Sequence, residues 1–191
     1  MGQILLDLAV LGLLRDTPLH GYELKRRLAD LGFWRVSFGS LYPGLKRLER
    51  QGFIESLRDG GRKRTYQLVP AGQAHFEHLL IEETNTTEDE RHFHLRLAFF
   101  RYLDGDTRIK SLDRRRNELV ERLADSRRSM RLANGRGRER PDRYAKALME
   151  RGVRSTESDI AWLDQLIAAE RSEQASPSSA EQSQGETQWA K

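Results

Sequence analysis

The 191-residue chain has no cysteine. That single absence removes disulfides, thiolate nucleophiles and cysteine-based zinc sites together. Long apolar runs are missing as well: the longest, Ile4 to Leu14, is interrupted by Asp7 and falls well short of the roughly 20 residues a membrane span requires. It reads as a core helix. No signal-like segment precedes it, so the expectation is a cytoplasmic protein with no membrane partner. Neither sign of charge dominates, since 33 Lys and Arg face 29 Asp and Glu for a net +4, an excess too small to identify a polyanionic partner. Catalytic signatures are also lacking. There is no glycine-rich phosphate loop, serine nucleophile elbow or His-Glu-x-x-His, so neither an enzyme nor a cofactor is expected. His75 with His78 and His92 with His94 lack the cysteine or carboxylate spacing of a metal site and read as solvated histidines.

What is present is helical periodicity. Charged residues make up 32% and apolar residues 37% of the chain, enough to build modest cores but not to leave much hydrophobic surface over. After the first helix, expected over 4–15, Leu24, Leu28 and Leu31 recur at helical spacing and predict a second over 21–31, with Gly32 as its stop. A third is expected from Ser40 to Gln51, with Ser40 as N-cap, Pro43 in the first turn, and Leu41, Leu45 and Leu48 on its inner face. Residues 53–57 and 65–69 read as two strands around a basic connection, Arg58 to Arg64. Pro70-Ala71-Gly72 then closes the hairpin, and a fourth helix is expected over about 73–82.

Three helices and a hairpin within about 70 residues is the element order of a winged helix. The charge agrees, because through Leu80 twelve Lys and Arg face eight Asp and Glu, so this part alone carries the whole chain's excess. A helix fixed by its leucines can place its outer residues in the major groove of double-stranded DNA, which admits one helix. Ser40, Tyr42, Pro43, Lys46, Arg47 and Arg50 are the residues available there, with Arg47 and Arg50 expected to read bases. Arg62, Lys63 and Arg64 at the hairpin tip suit phosphates or a minor groove. An amphipathic helix with a merely solvated basic face is the alternative, which the basic hairpin tip argues against.

His20-Gly21-Tyr22-Glu23-Leu24, then Gly39-Ser40-Leu41-Tyr42-Pro43-Gly44-Leu45-Lys46-Arg47-Leu48-Glu49 and Gly52-Phe53-Ile54 resemble the signature of the PadR family of transcriptional regulators. The hairpin and its exit, Gly61 to Gly72, resemble the same family. Together these motifs cover about residues 4–80, while the layout of 88–170 is similar to one branch of the family. The resemblance implies a homodimer with a C-terminal helical dimerisation region, and usually repression of nearby promoters. Gly44 departs from the Ala often found there, and the hairpin tip lacks the family's frequent proline.

The remaining chain supplies such a region. Helices are expected over 88–103, opened by a capping box from Thr87 to Glu90, and over 108–133 and 142–171. In the last of these Met149, Val153, Thr156, Ile160, Leu163 and Ile167 form a seam with the four-then-three rhythm of packed helices, broadened by Trp162 and Leu166. The 108–133 stripe is broken by Arg116 and Ser126, so a second chain is expected to cover the rest of the seam, with Ile160, Leu163 and Ile167 near its centre. The expected fold is mainly α with a small β-hairpin: a winged helix-turn-helix DNA-binding domain over 1–83, a helical dimerisation domain over 88–171, and a disordered Ser- and Gln-rich tail over 172–191. Trp34, Phe38, Phe93, Phe99, Phe100, Tyr102, Tyr144 and Trp162 leave room for a small aromatic effector as a further partner. The competing reading is a helical protein–protein adaptor without sequence-specific DNA binding.

Overall fold

The computed structural model describes residues 3–33, 36–58, 64–81, 90–133 and 141–175, and divides the chain into two compact units, Met1–Tyr102 and Leu103–Lys191. The first contains α1 (Gln3–Leu14), β1 (Leu19–His20), α2 (Gly21–Leu28), α3 (Phe38–Arg50), β2 (Ile54–Arg58), β3 (Arg64–Leu68), α4 (Pro70–Ile81) and α5 (Glu90–Leu97). Helix α1 is apolar on almost every side and is accordingly the central post, with α2, α3, α4 and α5 all packed against it. A wide turn after α2 closes on Gly32, whose φ of +86° is a conformation that favours glycine. The strands form one antiparallel sheet in the order β1-β3-β2, with Leu19 opposite Tyr66 and Ile54 opposite Leu68. The two-residue β1 was not expected from sequence, because two residues carry no alternation to read.

Helix α4 begins at Pro70 rather than Gln73. Proline suits the first helical position, where its missing N–H would have had no intrahelical partner. Gly72 lies so close to the hairpin that a Cβ there would sit 1.8 Å from the Phe53 carbonyl oxygen. The residues expected to close the hairpin are therefore the first turn of the helix that packs on it.

The N-terminal unit also reaches further than expected. Thr87, and with it the capping box, lies outside the described residues, and the 88–103 helix is a shorter α5 followed by a single 3₁₀ turn, Phe100–Tyr102. Phe93, Phe99 and Phe100 are buried, Phe99 stands edge-on to Phe76 at 5.6 Å, and its ring faces Gly12, where an added Cβ would come within 2.5 Å. Residues 90–102 thus complete the core around α1 and share its compact unit.

The second unit is an antiparallel hairpin of α6 (Gly105–Ala133) and α7 (Arg143–Ala175). Asp104 caps α6 by accepting the Thr107 N–H at 2.8 Å. Along the hairpin Arg108 pairs with Glu170 at 3.0 Å, Arg127 with Glu157 at 2.6 Å, Arg171 with Asp113 at 3.1 Å, and Arg116 with Asp164. Arg116, which breaks the apolar stripe in sequence, is thereby a partner of α7. Residues 172–175, expected to begin the tail, continue α7, and Gln174 reaches Asp106 at 3.4 Å. Among the described residues no helix is long and apolar enough to cross a membrane.

Candidate DNA-binding surface

Helix α3 is set by its first residues. Ser37, not Ser40, is the N-cap: its Oγ accepts the Ser40 N–H at 3.2 Å, while the Ser40 hydroxyl donates to the Ser37 carbonyl at 3.0 Å. Val36 and Leu41, both buried, sit where the two halves of a hydrophobic staple belong. With the cap three residues earlier, Pro43 falls in the second turn and deprives the exposed Gly39 carbonyl of its helical donor.

The inner face of α3 is Leu41, Gly44, Leu45 and Leu48. Gly44 is therefore not on an exposed turn: a Cβ there would meet Leu6 of α1 at 3.0 Å, so the close approach of the two helices accounts for the glycine. Ser40, Tyr42, Pro43, Lys46 and Arg50 are exposed on the other side, as expected.

Arg47 is the exception. Its guanidinium turns inward to form an ion pair with Asp7 of α1, leaving the two side chains only 21% and 10% exposed. It lies at the flank of the helix, where a long side chain can reach either way, and a desolvated carboxylate decides the matter. Burial pushes the Asp7 carboxyl above its ordinary value, and the Arg47 charge pulls it back down. The expected assignment of Arg47 to a base is thus corrected to an anchor between α1 and α3.

Beside α3, a groove of about 680 Å³ is lined by His20, Tyr22, Arg26, Tyr42, Arg64 and Tyr66, among others. Arg64 opens β3 and is exposed, whereas Arg62 and Lys63 lie outside the described residues. His20 ties the turn before α2 to the sheet, its Nδ1 lying 2.9 Å from the Thr65 hydroxyl. Burial raises the Tyr66 phenol above its usual range, partly offset by Arg64, so its proton stays in place to donate. Glu49 fixes the other flank by accepting the Ser56 hydroxyl at 2.5 Å. The groove thus combines phenols and guanidinium groups, the donors that hold phosphate oxygens, with the Glu23 carboxylate, which pairs with Arg27 at 2.8 Å and lies 3.8 Å from Arg26. Tyr22, Phe38 and Arg26 were not picked out in the sequence as members of this face: the packing of α2 beside α3 brings Tyr22 and Arg26 there, and Phe38 joins because α3 begins two residues before Ser40.

The seam residues of α7 separate into two groups. Leu163 and Ile167 are 1% and 4% exposed in the single chain, on the same stripe as Glu170 and Gln174, which touch α6. They are covered already, which corrects their place at the centre of an intersubunit seam. Val153, Thr156, Ile160 and Leu166 are partly covered. Tyr144, Leu148 and Trp162 remain 65%, 70% and 39% exposed, as does Met149 to a similar degree. Of the aromatic residues considered for an effector site, Phe93, Phe99 and Phe100 are core, Tyr102 packs edge-on to Phe76, and Trp34 lies outside the described residues. Among the described residues no group of three or more His, Asp or Glu could hold a metal ion, and His75 stacks on Phe53 with centroids 4.2 Å apart.

Three helices, a three-stranded sheet formed with the hairpin, and an outward-facing third helix define a winged helix, the fold of DNA-binding regulators. Residues 10–78 match the transcriptional regulator PadR-like family, and residues 91–170 match the virulence activator alpha C-terminal family. The negative transcriptional regulator PadR of Bacillus subtilis is 27% identical over 176 residues, covering 85% of this chain and 96% of that protein. The transcriptional regulator Rv3488 of Mycobacterium tuberculosis is 44% identical over 62 residues, covering 31% and 57%. Coverage of the curated relatives runs down to 19%, for a Streptomyces fradiae transposon protein. The crystal structure of Bacillus subtilis PadR with p-coumaric acid aligns at 25% identity over 87% of this chain and 99% of that one, with a TM-score of 0.39. Residues 10–78 thus carry a PadR-like domain, and most of the chain is similar to the Bacillus regulator.

Proposed function

We propose that this protein binds double-stranded DNA sequence-specifically as a homodimer on a two-fold symmetric operator, and that it represses. The observation that carries the reading is the division of α3. One face is locked into the core by Leu41, Leu45, Leu48 and the Arg47–Asp7 pair, while Ser40, Tyr42, Lys46 and Arg50 are exposed on the other beside a groove holding Arg26 and Arg64. Such a helix presents its first turns to base edges while the flanking cations and phenols hold phosphates.

Dimerisation is supported by the second stripe of α7. Tyr144 and Leu148 are four residues apart, and Trp162 and Leu166 repeat that pair about five helical turns on, at 3.6 residues per turn, so the four share a face. Tyr144, Leu148 and Trp162 on that face are exposed in one chain, and a second copy is the partner that would also set the distance between two half-sites. Repression follows the role named for the Bacillus relative. Relief by a small aromatic ligand belongs to the same proposal, since that relative has been crystallised with p-coumaric acid.

Selection from a random duplex pool, followed by titration of the enriched site at two salt concentrations, tests the DNA reading. A palindromic consensus bound well above random duplex is expected. Binding that never exceeds random duplex would favour the adaptor reading. Titrating the complex with p-coumaric acid tests relief, with release of the duplex expected.

A further inference from the structure

Next to the cations of the α3 face stands an apolar feature that phosphate binding leaves unused. Phe38, the first residue of α3, lies between Tyr22 of α2 and Tyr42 one turn along α3, with ring centroids 6.5 and 5.8 Å away and ring planes tilted by only 27° and 25°. Lys25 Nζ sits 4.1 Å from the Phe38 centroid. Tyr22, Tyr42 and Lys25 thus hold the ring, yet it remains 37% exposed. It is not needed to close the core, because the buried Val36 and Leu41 already form the apolar clasp at this end of the helix. Tyr42 is held in turn: its hydroxyl lies over Gly21, where an added Cβ would come within 2.9 Å.

We propose that Phe38 is a specificity-determining residue that packs against the 5-methyl group of a thymine in the major groove, with Tyr22 and Tyr42 fixing its ring. The inference rests on the DNA-binding reading above. Its physical basis is that the first residues of a recognition helix meet base edges, and that the thymine methyl is the one apolar group a base edge offers there. A fixed, partly exposed ring with no polar atom can gain from that methyl and from nothing else in the groove. Because the ring is ordered before binding, little conformational entropy is lost on contact. Lys25, on the same cluster, brings a cation to a place where the DNA backbone runs past, so the two groups divide the work between base and phosphate.

The experiment uses the full chain and the duplex it enriches from a random pool. Each thymidine of that duplex is replaced singly by 2′-deoxyuridine, which removes the methyl and leaves every hydrogen-bonding group in place. One position per half-site should lose about three- to fivefold in affinity, the amount expected for one buried methyl group. Phe38→Ala should bind the thymidine duplex more weakly by a similar factor or more, and should bind the thymidine and deoxyuridine duplexes equally. Lys46→Ala should keep the discrimination. Phe38→Ala should still unfold in one cooperative transition with only a modest loss of stability, since the ring lies outside the core and loses only its contacts with Tyr22, Tyr42 and Lys25. Equal binding of every deoxyuridine duplex by the unaltered protein would overturn the inference while leaving sequence-specific binding intact. Discrimination that survives in Phe38→Ala would overturn it too, by assigning the methyl to another residue. Failure to enrich any duplex would remove the DNA-binding reading and this contact with it.

Discussion

The Arg47–Asp7 pair makes a sharp prediction because sequence and structure assign Arg47 opposite roles. Arg47→Met keeps most of the aliphatic stem and deletes the charge, so what remains is the Asp7 carboxylate beneath α3 with only a tenth of its surface exposed. Removing one partner of a fully buried pair costs about 3–5 kcal/mol. Here a fifth of the arginine surface reaches water, which can partly solvate the abandoned carboxylate, so about 2–3 kcal/mol is expected. For a unit of this size that lowers the melting temperature by about 10 °C or more. Acid should narrow the gap. Burial holds the folded Asp7 value above the ordinary 3.8, so between that value and the folded one stability rises as pH falls. Without Arg47 the folded value climbs further, the deficit is greatest at neutral pH, and it shrinks as the carboxyl protonates. Adding Asp7→Asn to Arg47→Met should restore most of the loss, because no buried charge is then left alone. Thermal and urea unfolding at neutral and acidic pH measure all of this. An Arg47→Met protein of unchanged stability that loses affinity only for its operator would refute the assignment and return Arg47 to the bases.

Gly72→Ala should destabilise the N-terminal unit by about 3 kcal/mol or more, since the new methyl meets backbone and not a side chain that can swing away; a urea midpoint unchanged from the parent would contradict the packing of α4 on the hairpin. Arg64→Gln should lower the slope of log affinity against log salt by about 0.9 if Arg64 neutralises one phosphate, and an unchanged slope would take it off the interface. Arg50→Ala should weaken operator and random duplex alike, because Arg50 ends α3 about 18 Å along the axis from Phe38 at 1.5 Å per residue; a loss confined to the operator would make it a base contact. Leu148→Asp with Trp162→Asp should dissociate the proposed dimer while leaving α6 and α7 folded, and a tight, folded dimer in sedimentation equilibrium would move the interface elsewhere.

What could be read from the sequence was whatever repeats locally. The leucines of α2 and α3, the two longer strands and the two long C-terminal helices follow from spacing over a few turns, and the structure has each of them. What could not be read depends on partners distant in the chain. Arg47 differs from Arg50 only through Asp7, forty residues away, and β1 exists only because β3 lies beside it. Gly12 looks like a flaw in α1 until the Phe99 ring is laid on it, and that contact moves residues 90–102 into the N-terminal unit. The cap was misplaced for a different reason: Ser37 and Ser40 both fit the pattern, and only backbone geometry separates them.

These long-range contacts decide which surface the recognition helix can offer. Asp7 draws in one edge of α3, Leu6 admits it closely because Gly44 has no side chain, and Glu49 binds the other edge to β2 through Ser56. The helix is therefore held against rotation about its own axis from both sides. Its free face starts with Phe38, Tyr42 and Lys46 and ends with Arg50. With Arg47 withdrawn, the early turns hold no guanidinium of their own, so the bidentate pairing of arginine with guanine cannot be the main source of specificity there. On the proposed reading, recognition by this face rests on hydroxyls, an aromatic ring and the ammonium groups of Lys25 and Lys46, with the guanidinium groups of Arg26, Arg50 and Arg64 around its margin left for phosphates. Such a surface should favour thymine-bearing half-sites over guanine-rich ones, and its affinity should depend on salt more steeply than its selectivity does.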